Sequence, residues 1–170
     1  MKKIKLGQLE INLEELTDFI VEAKKQGYAS GGEKRRWSDG SKTFTFHKGN
    51  FHYRDNYAGS YQAPGNEIVR WQKPDGQRIW QMSYSGGIRP EFWGNSELKD
   101  QTLGFLKEVL LKVSHAHPFR GPERYRDRGL IYILTIDGDI RKFRGHECII
   151  NEDSDGVIFS QHLIGCLVVP

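Results

Sequence analysis

Residues 65–81, GNEIVRWQKPDGQRIWQ, decide the reading of this chain, because residues 145–161, GHECIINEDSDGVIFSQ, repeat their frame. Gly65 and Glu67 recur as Gly145 and Glu147, Asp75-Gly76 recurs as Asp155-Gly156, and Gln81 recurs as Gln161, all at an offset of 80. The match is five identities in seventeen positions without a gap. A shared offset predicts two similar units, a pseudo-two-fold axis and a cleft where they meet. Each copy also reads as a hairpin. Segments 67–72 and 78–84 flank Pro74-Asp75-Gly76, a type I turn that places its glycine in the left-handed region. That register puts Glu67, Val69 and Trp71 on one face with Ile79, Gln81 and Ser83, and Ile68, Trp80 and Met82 on the other. Segments 147–151 and 158–163 pair in the same way around Asp155-Gly156.

Working outward, Thr43 to His47 and Phe51 to Asp55 flank Gly49-Asn50, a favoured two-residue turn. Their register sets Phe44 and Phe46 on one face with Phe51, Tyr53, Asp55 and Tyr57, and His47 opposite His52 on the other face. Upstream, Leu13, Leu16, Phe19, Ile20 and Ala23 form an apolar stripe at helical spacing, which predicts a helix over 13–25. Asn12 caps it, with Glu15 three residues on, and Gly27 stops it. Residues 30–41 read as a loop. Downstream, Leu98, Phe105, Leu106, Val109, Leu110 and Val113 predict a second helix over 98–113, and Pro118 lies beyond its end. Segments 130–136 and 139–143 then pair across Asp137-Gly138. The order is helix and four strands, twice over. The expected fold is an α+β tandem pseudo-repeat of a helix plus a four-stranded antiparallel meander, with two helices and about eight strands. It forms a single compact domain over 1–170, with halves at 12–87 and 97–167.

With 37% hydrophobic and 28% charged residues, the 170-residue chain is too apolar for a disordered protein. No apolar run approaches the roughly 20 residues of a membrane helix. The basic start, Lys2-Lys3-Ile4-Lys5, leads into no apolar signal core, so the expected location is cytoplasmic, without a membrane. Two cysteines, Cys148 and Cys166, without CxxC spacing, agree with a reducing compartment and argue against a redox motif or a cysteine-built zinc site. The net charge is +3, and the basic residues bunch. Lys34, Arg35 and Arg36 precede Trp37, and Arg124 and Arg126 follow Arg120, so these two groups are the candidates for a nucleic-acid or protein partner. A solvated mixed-charge surface is the plainer reading of the same residues.

Three strings carry a family resemblance. Phe51-x-Tyr53-x-Asp55-x-Tyr57-x-Gly59, Gly65-x-Glu67 and Trp80-x-Met82-x-Tyr84-x-Gly86 resemble the first half of an uncharacterised bacterial domain family of unknown function. Pro118-Phe119-Arg120-Gly121-Pro122 and Phe143-x-Gly145-x-Glu147 resemble its second half. The resemblance covers residues 19–167, and the arginine-glycine-proline string is its most specific element. The chain departs from the pattern at Gly165-Cys166-Leu167, where a glycine pair is expected, and in the basic loop at Lys34. Such domains occur alone or behind an Xre-type helix-turn-helix, which implies a sensing or binding role. The family lends no catalytic residues. The sequence offers one helix before its strands, whereas a helix-turn-helix needs two.

The polar residues on apolar strand faces are the candidate site. Glu67 is expected beside Gln81, and Glu147 beside Gln161, each pair among apolar neighbours. Such groups must be hydrogen-bonded or face a wet cavity. Satisfying a backbone group is their plainer role, and two carboxylates without a third ligand do not make a metal site. Asp55, among Phe44, Phe46, Tyr53 and Tyr57, is expected to have a raised pKa unless Arg120 or a tyrosine hydroxyl bonds to it. Arg120, in a stiff loop, suits a carboxylate or phosphate. His115-Ala116-His117 and the His47/His52 pair lack a third ligand and are not metal sites. No nucleophile elbow, P-loop, dinucleotide fingerprint or HExxH string occurs. The expectation is a non-enzymatic ligand-binding or sensory domain without cofactor or metal. A small polar or anionic ligand would sit in a cleft lined by Asp55, Tyr57, Glu67, Trp80, Tyr84, Arg120 and Glu147. The alternative is a hydrolase or transferase with Glu67 or Glu147 as base and Arg120 as anion clamp.

Overall fold

A computed structural model describes residues 3–29, 34–154 and 156–170. Strands β1 (Lys3–Leu6) and β2 (Leu9–Asn12) form a small hairpin that the sequence reading did not anticipate. Helix α1 (Leu13–Ala29) follows directly, with the Asn12 side chain accepting from the Glu14 amide and donating to Glu15. Gly27 is inside this helix rather than at its stop, and a Cβ there would press on the Phe44 ring at 3.1 Å. Next come β3 (Arg35–Arg36), β4 (Ser41–Lys48), β5 (Phe51–Ala58), β6 (Gly65–Trp71) and β7 (Arg78–Ile88). After a short 3-10 turn, α2 (Ser96–Leu110) is capped by Asn95, whose side chain accepts from the Leu98 amide. The chain closes with β8 (Arg124–Asp127), β9 (Leu130–Asp139), β10 (Lys142–Asn151) and β11 (Gly156–Leu167).

Nine strands make one antiparallel sheet in the order β3-β4-β5-β6-β7-β11-β10-β9-β8. The strands run in chain order to β7 and then in reverse from β11, so β7 and β11 join the two series. The α+β class and the antiparallel sheet are as expected; the eleven strands add the N-terminal hairpin, the short β3 and β8, while the expected strands 139–143 and 147–151 are one strand, β10.

Directly paired residues in an antiparallel sheet point to the same face. One inward row runs Phe44, Asp55, Glu67, Met82, and the next runs Phe46, Tyr53, Val69, Trp80. Another crosses the join as Gly86, Gln161, Glu147, Leu134. Both helices lie over this face: Phe19 of α1 stacks on Phe46 and Phe51, and Phe105 of α2 meets Tyr125. The Gly49-Asn50 hairpin has the expected register, with His47 and His52 stacked on the outward face.

Two hairpins differ from the reading. In β6–β7 the register shifts between Val69 and Arg70, so Glu67 pairs with Met82 and Ile68 with Gln81. Gln81 therefore points outward, while Trp80 and Met82 share the inward face with Glu67 and Val69. The positive φ falls on Gln72, at 64°, not on Gly76. Gly76 is required by close approach instead, since a Cβ would sit 2.0 Å from the Trp71 carbonyl. In β9–β10 the turn lies at Ile140-Arg141, three residues beyond the expected Asp137-Gly138. The expected Asp155-Gly156 turn includes Asp155, which lies outside the described residues.

Candidate functional site

The inward polar residues converge under the helices in one buried ionic cluster. Glu147 and Gln161 are direct cross-strand partners, and Gln161 Nε2 donates to Glu147 Oε1 at 2.8 Å. Tyr132 donates its hydroxyl proton to Oε2 at 2.6 Å, and Arg120 donates from Nε to Oε1 at 3.0 Å. Three side chains thus hold a carboxylate that is 0% exposed. Burial, and then Glu147 beside it, push the Tyr132 hydroxyl far above its ordinary pKa.

Glu67, also 0% exposed, faces Lys24 of α1 with Nζ 2.5 Å from Oε2. The same ammonium donates to the Phe119 carbonyl at 2.7 Å, which ties α1 to the segment that carries Arg120. Burial pulls the Lys24 pKa down, and Glu67 opposes that pull. Glu67 Oε1 has no hydrogen-bond partner among the described residues. Asp55 is the direct strand partner of Glu67 and accepts the Tyr84 hydroxyl proton at 2.7 Å. Burial first, and then the Glu67 charge, raise Asp55 to about 6, against the pull of Tyr84, Lys24 and Arg120. Tyr84 is itself held well above its ordinary value, by burial and then by Asp55. The guanidinium of Arg120 lies 5.6 Å from the centre of the Tyr84 ring, so Tyr84 stands between the two carboxylate groups.

Above this cluster lies a cavity of about 420 Å³ between the sheet and α2. Asp55, Tyr84, Arg120 and Gln161 reach it from below. Lys34 and Lys42 stand at one side and Lys99 and Lys107 at the other, with Asp100 as the rim carboxylate. Lys34 Nζ donates to the Tyr57 hydroxyl at 3.0 Å, and Lys99 Nζ lies 5.2 Å from the Tyr61 ring centre. One wall is the backbone of 59–63 laid against the end of β7: the Ile88 amide donates to Tyr61 O at 2.7 Å and the Ala63 amide to Gly86 O at 3.0 Å. Gly86 and Gly87 make this approach possible. Their φ values are 144° and 155°, and a Cβ on Gly87 would meet the Tyr61 carbonyl at 2.0 Å. Arg120 is aimed by its own loop, where Phe119 packs on Phe143 and the Gly121 amide donates to the Tyr132 hydroxyl at 3.3 Å.

Of the residues singled out from sequence, Asp55, Tyr57, Tyr84 and Arg120 line the cavity, and Glu67 and Glu147 lie in the cluster that supports it. Trp80 does not reach the cavity; it is fully buried, stacks on Phe143 and donates to the Ile140 carbonyl. The expected Glu67–Gln81 pair does not form, and Gln81 accepts from Arg78 on the other face. The five basic partner candidates do not form one patch. Lys34 stands at the cavity. Arg36 pairs with Lys42, and Arg35 with Thr43. Arg124 and Arg126 lie at the far sheet edge on β8. The sequence reading missed Lys24, Tyr132 and three lysines of the rim, Lys42, Lys99 and Lys107. Lys24 was visible in principle, because it follows Ile20 by four positions within the buried stripe. The others come together only through the β7–β11 join.

The fold and cluster define an antiparallel α+β domain with paired buried charges beneath a lysine-rimmed cavity. The chain belongs to a family described as a domain of unknown function, DUF5680, whose model matches residues 55–168, about two thirds of its length. No curated protein and no solved structure matches it. Among the described residues, no helix is long and apolar enough to cross a membrane, and no group of three or more His, Cys, Asp or Glu side chains is placed to hold a metal ion.

Proposed function

We propose that this is a ligand-binding, sensory domain of the cytoplasm whose cavity takes a small anion. The observation that carries the reading is charge placement: four lysines surround a cavity that also receives Arg120, against the rim carboxylate of Asp100 and the partly protonated Asp55. Low-dielectric walls focus such a field and favour an anionic guest. Tyr57, Tyr61 and Tyr84 add hydroxyl groups and ring surface, so a phosphate or carboxylate attached to a flat apolar body fits best. The buried pairs beneath serve to hold Arg120 and Tyr84 in place. The tandem helix-and-meander repeat, with the cavity spanning its two units, is supported by the mirrored strand order about β7 and β11. The free cysteines suit a reducing compartment. A sensory role is supported by the resemblance to bacterial domains that follow Xre-type modules.

Thermal unfolding against nucleotides, sugar phosphates and carboxylic acids tests this. A ligand at about 100 times its Kd adds roughly 2.7 kcal/mol, a rise of about 5–10 °C for a chain of this size. Lys42→Glu and Lys99→Glu should each abolish the rise. A full rise in both variants would sink the reading.

The raised Asp55 favours a second reading, a hydrolase or transferase. Its acid–base group is then Asp55, which borders the cavity, rather than the fully buried Glu67 or Glu147, and Arg120 is the anion clamp. Turnover lost in Asp55→Asn with binding retained identifies that case.

A further inference from the structure

Both helices cover one face of the nine-stranded sheet, and the other face carries a one-sided charge pattern. Strand registers give its rows. One runs Arg35, Thr43, Asn56, Asn66, Ser83, Ile164 and Arg144 from edge β3 to β10. A second runs Thr45, Arg54, Ile68, Gln81, Cys166, Lys142. A third holds His47, His52, Arg70 and Arg78. Among the described residues, no carboxylate points outward from β3 to β7 or from β11. The outward acids of β9 are Asp137, in an exposed pair with Arg144 at 2.9 Å, and Asp139, the strand partner of Lys142. The chain as a whole is only +3, so this face concentrates cations that the rest of the surface balances. The arginines crowd one another: Arg70 is held below its ordinary pKa by burial first, and then by Arg78 and Arg54.

The same face offers flat rings and grooves. Arg35 stacks on Trp37 at 3.9 Å, and Trp37, 44% exposed, is held to the face by its Nε1 hydrogen bond to Thr43. His146 and His162 lie 4.8 Å apart, as neighbours across β10 and β11. Two grooves of about 640 and 740 Å³ flank Ile164, which is 65% exposed and borders both.

We propose that this uncovered sheet face binds single-stranded nucleic acid, with phosphates tracking Arg35, Arg54, Arg70, Arg78, Lys142 and Arg144 and bases stacking on Trp37 and lying in the grooves beside Ile164. Rows of cations interleaved with flat side chains are what an unpaired strand needs, since every base has a ring face and every linkage a charge. A duplex would call for an element that enters a groove, whereas this face is a broad surface of side chains. The sheet is about 38 Å across at roughly 4.8 Å per strand, which suits the roughly 4–16-nucleotide footprint of single-strand-binding grooves. The inference is independent of the anion cavity, which opens on the opposite face.

The test is fluorescence anisotropy of the full chain with a labelled single-stranded oligonucleotide of about 12 nucleotides. Neutralising six phosphates predicts a slope of log K against log salt near −4, or roughly a three-hundredfold loss between about 50 and 200 mM salt. The double variant Arg54→Glu/Arg144→Glu, at exposed positions that should leave the melting temperature unchanged, is expected to weaken binding at least about tenfold and flatten the slope toward about −3. Trp37→Ala should weaken binding with the slope unchanged, which separates stacking from charge. Lys99→Glu, at the cavity, should leave oligonucleotide binding intact. The proposal is overturned if no oligonucleotide binds at about 50 mM salt, if the double variant binds as the wild type does, or if vesicles of anionic lipid bind while oligonucleotides do not. The last result would assign the face to a membrane surface.

Discussion

Replacing Asp55 by Asn should make the protein more stable at high pH and less so, by comparison, at low pH. Asp55 has a folded-state pKa of about 6 against 3.8 for the unconstrained group. The neutral form is therefore the one the fold favours. Its contribution is complete well below about pH 4 and is lost as pH rises through about 6; above that, the ionised carboxylate is a cost carried by the native state. A shift of about 2 units at roughly 1.4 kcal/mol per unit makes that cost about 3 kcal/mol. Asparagine keeps an acceptor for the Tyr84 hydroxyl and cannot ionise, so it removes the cost and leaves the hydrogen bond. Urea unfolding of wild type and Asp55→Asn at pH 4 and pH 8 measures the effect, since other titrating groups cancel in the difference. The variant should gain about 2.4 kcal/mol on the wild type between the two pH values, because part of the effect has already gone at pH 4. An unchanged difference, or one of opposite sign, would refute the claim that burial and Glu67 set the state of Asp55. The same linkage predicts that an anion in the cavity favours protonated Asp55, so affinity should fall as pH rises through about 6.

Three further outcomes follow from named contacts. Lys24→Ala strands Glu67 without its cation and should cost about 3–5 kcal/mol, whereas Lys24→Met with Glu67→Leu should recover most of it in the same urea assay. Gly87→Ala forces a Cβ against the Tyr61 carbonyl at a φ of 155°, and should both lower the melting temperature and weaken anion binding by displacing the cavity wall. Trp80→Ala should cost about 3–5 kcal/mol yet leave anion affinity nearly unchanged, because Trp80 packs in the core and not at the cavity; a matching loss of affinity would contradict that placement.

Local chemistry was legible where it fixes register. Gly49-Asn50 sets a two-residue turn, so Phe44, Asp55 and Tyr53 fall on the core face as their spacing requires. The β6–β7 hairpin was misread because one irregularity between Val69 and Arg70 exchanges the faces of all residues beyond it. No residue type announces that shift, and the positive φ of the connecting turn falls on Gln72, where sequence gives no hint. Glu147 and Gln161 do pair as their spacing implies, although this hairpin also shifts register, between Ile149 and Ile150. The cavity itself was beyond reach. It depends on β7 lying beside β11 and on α2 crossing above them, so Lys42 and Lys99, far apart in the chain, meet only in three dimensions. Turn and strand signals are local, whereas the site is a product of the join.

The central claim, a small-anion cavity beneath α2, is tested most directly by mapping backbone amide shifts by NMR while pyrophosphate is added to the full chain. The account predicts that the amides of Gly59, Tyr61, Gly86, Gly87 and Lys99 move first and saturate together, and that Lys42→Glu removes the effect. Shifts confined to the outward residues Arg54, Arg70 and Ile164, or no saturable shift at the cavity by roughly 10 mM (a binding free energy weaker than about −2.7 kcal/mol), would contradict it.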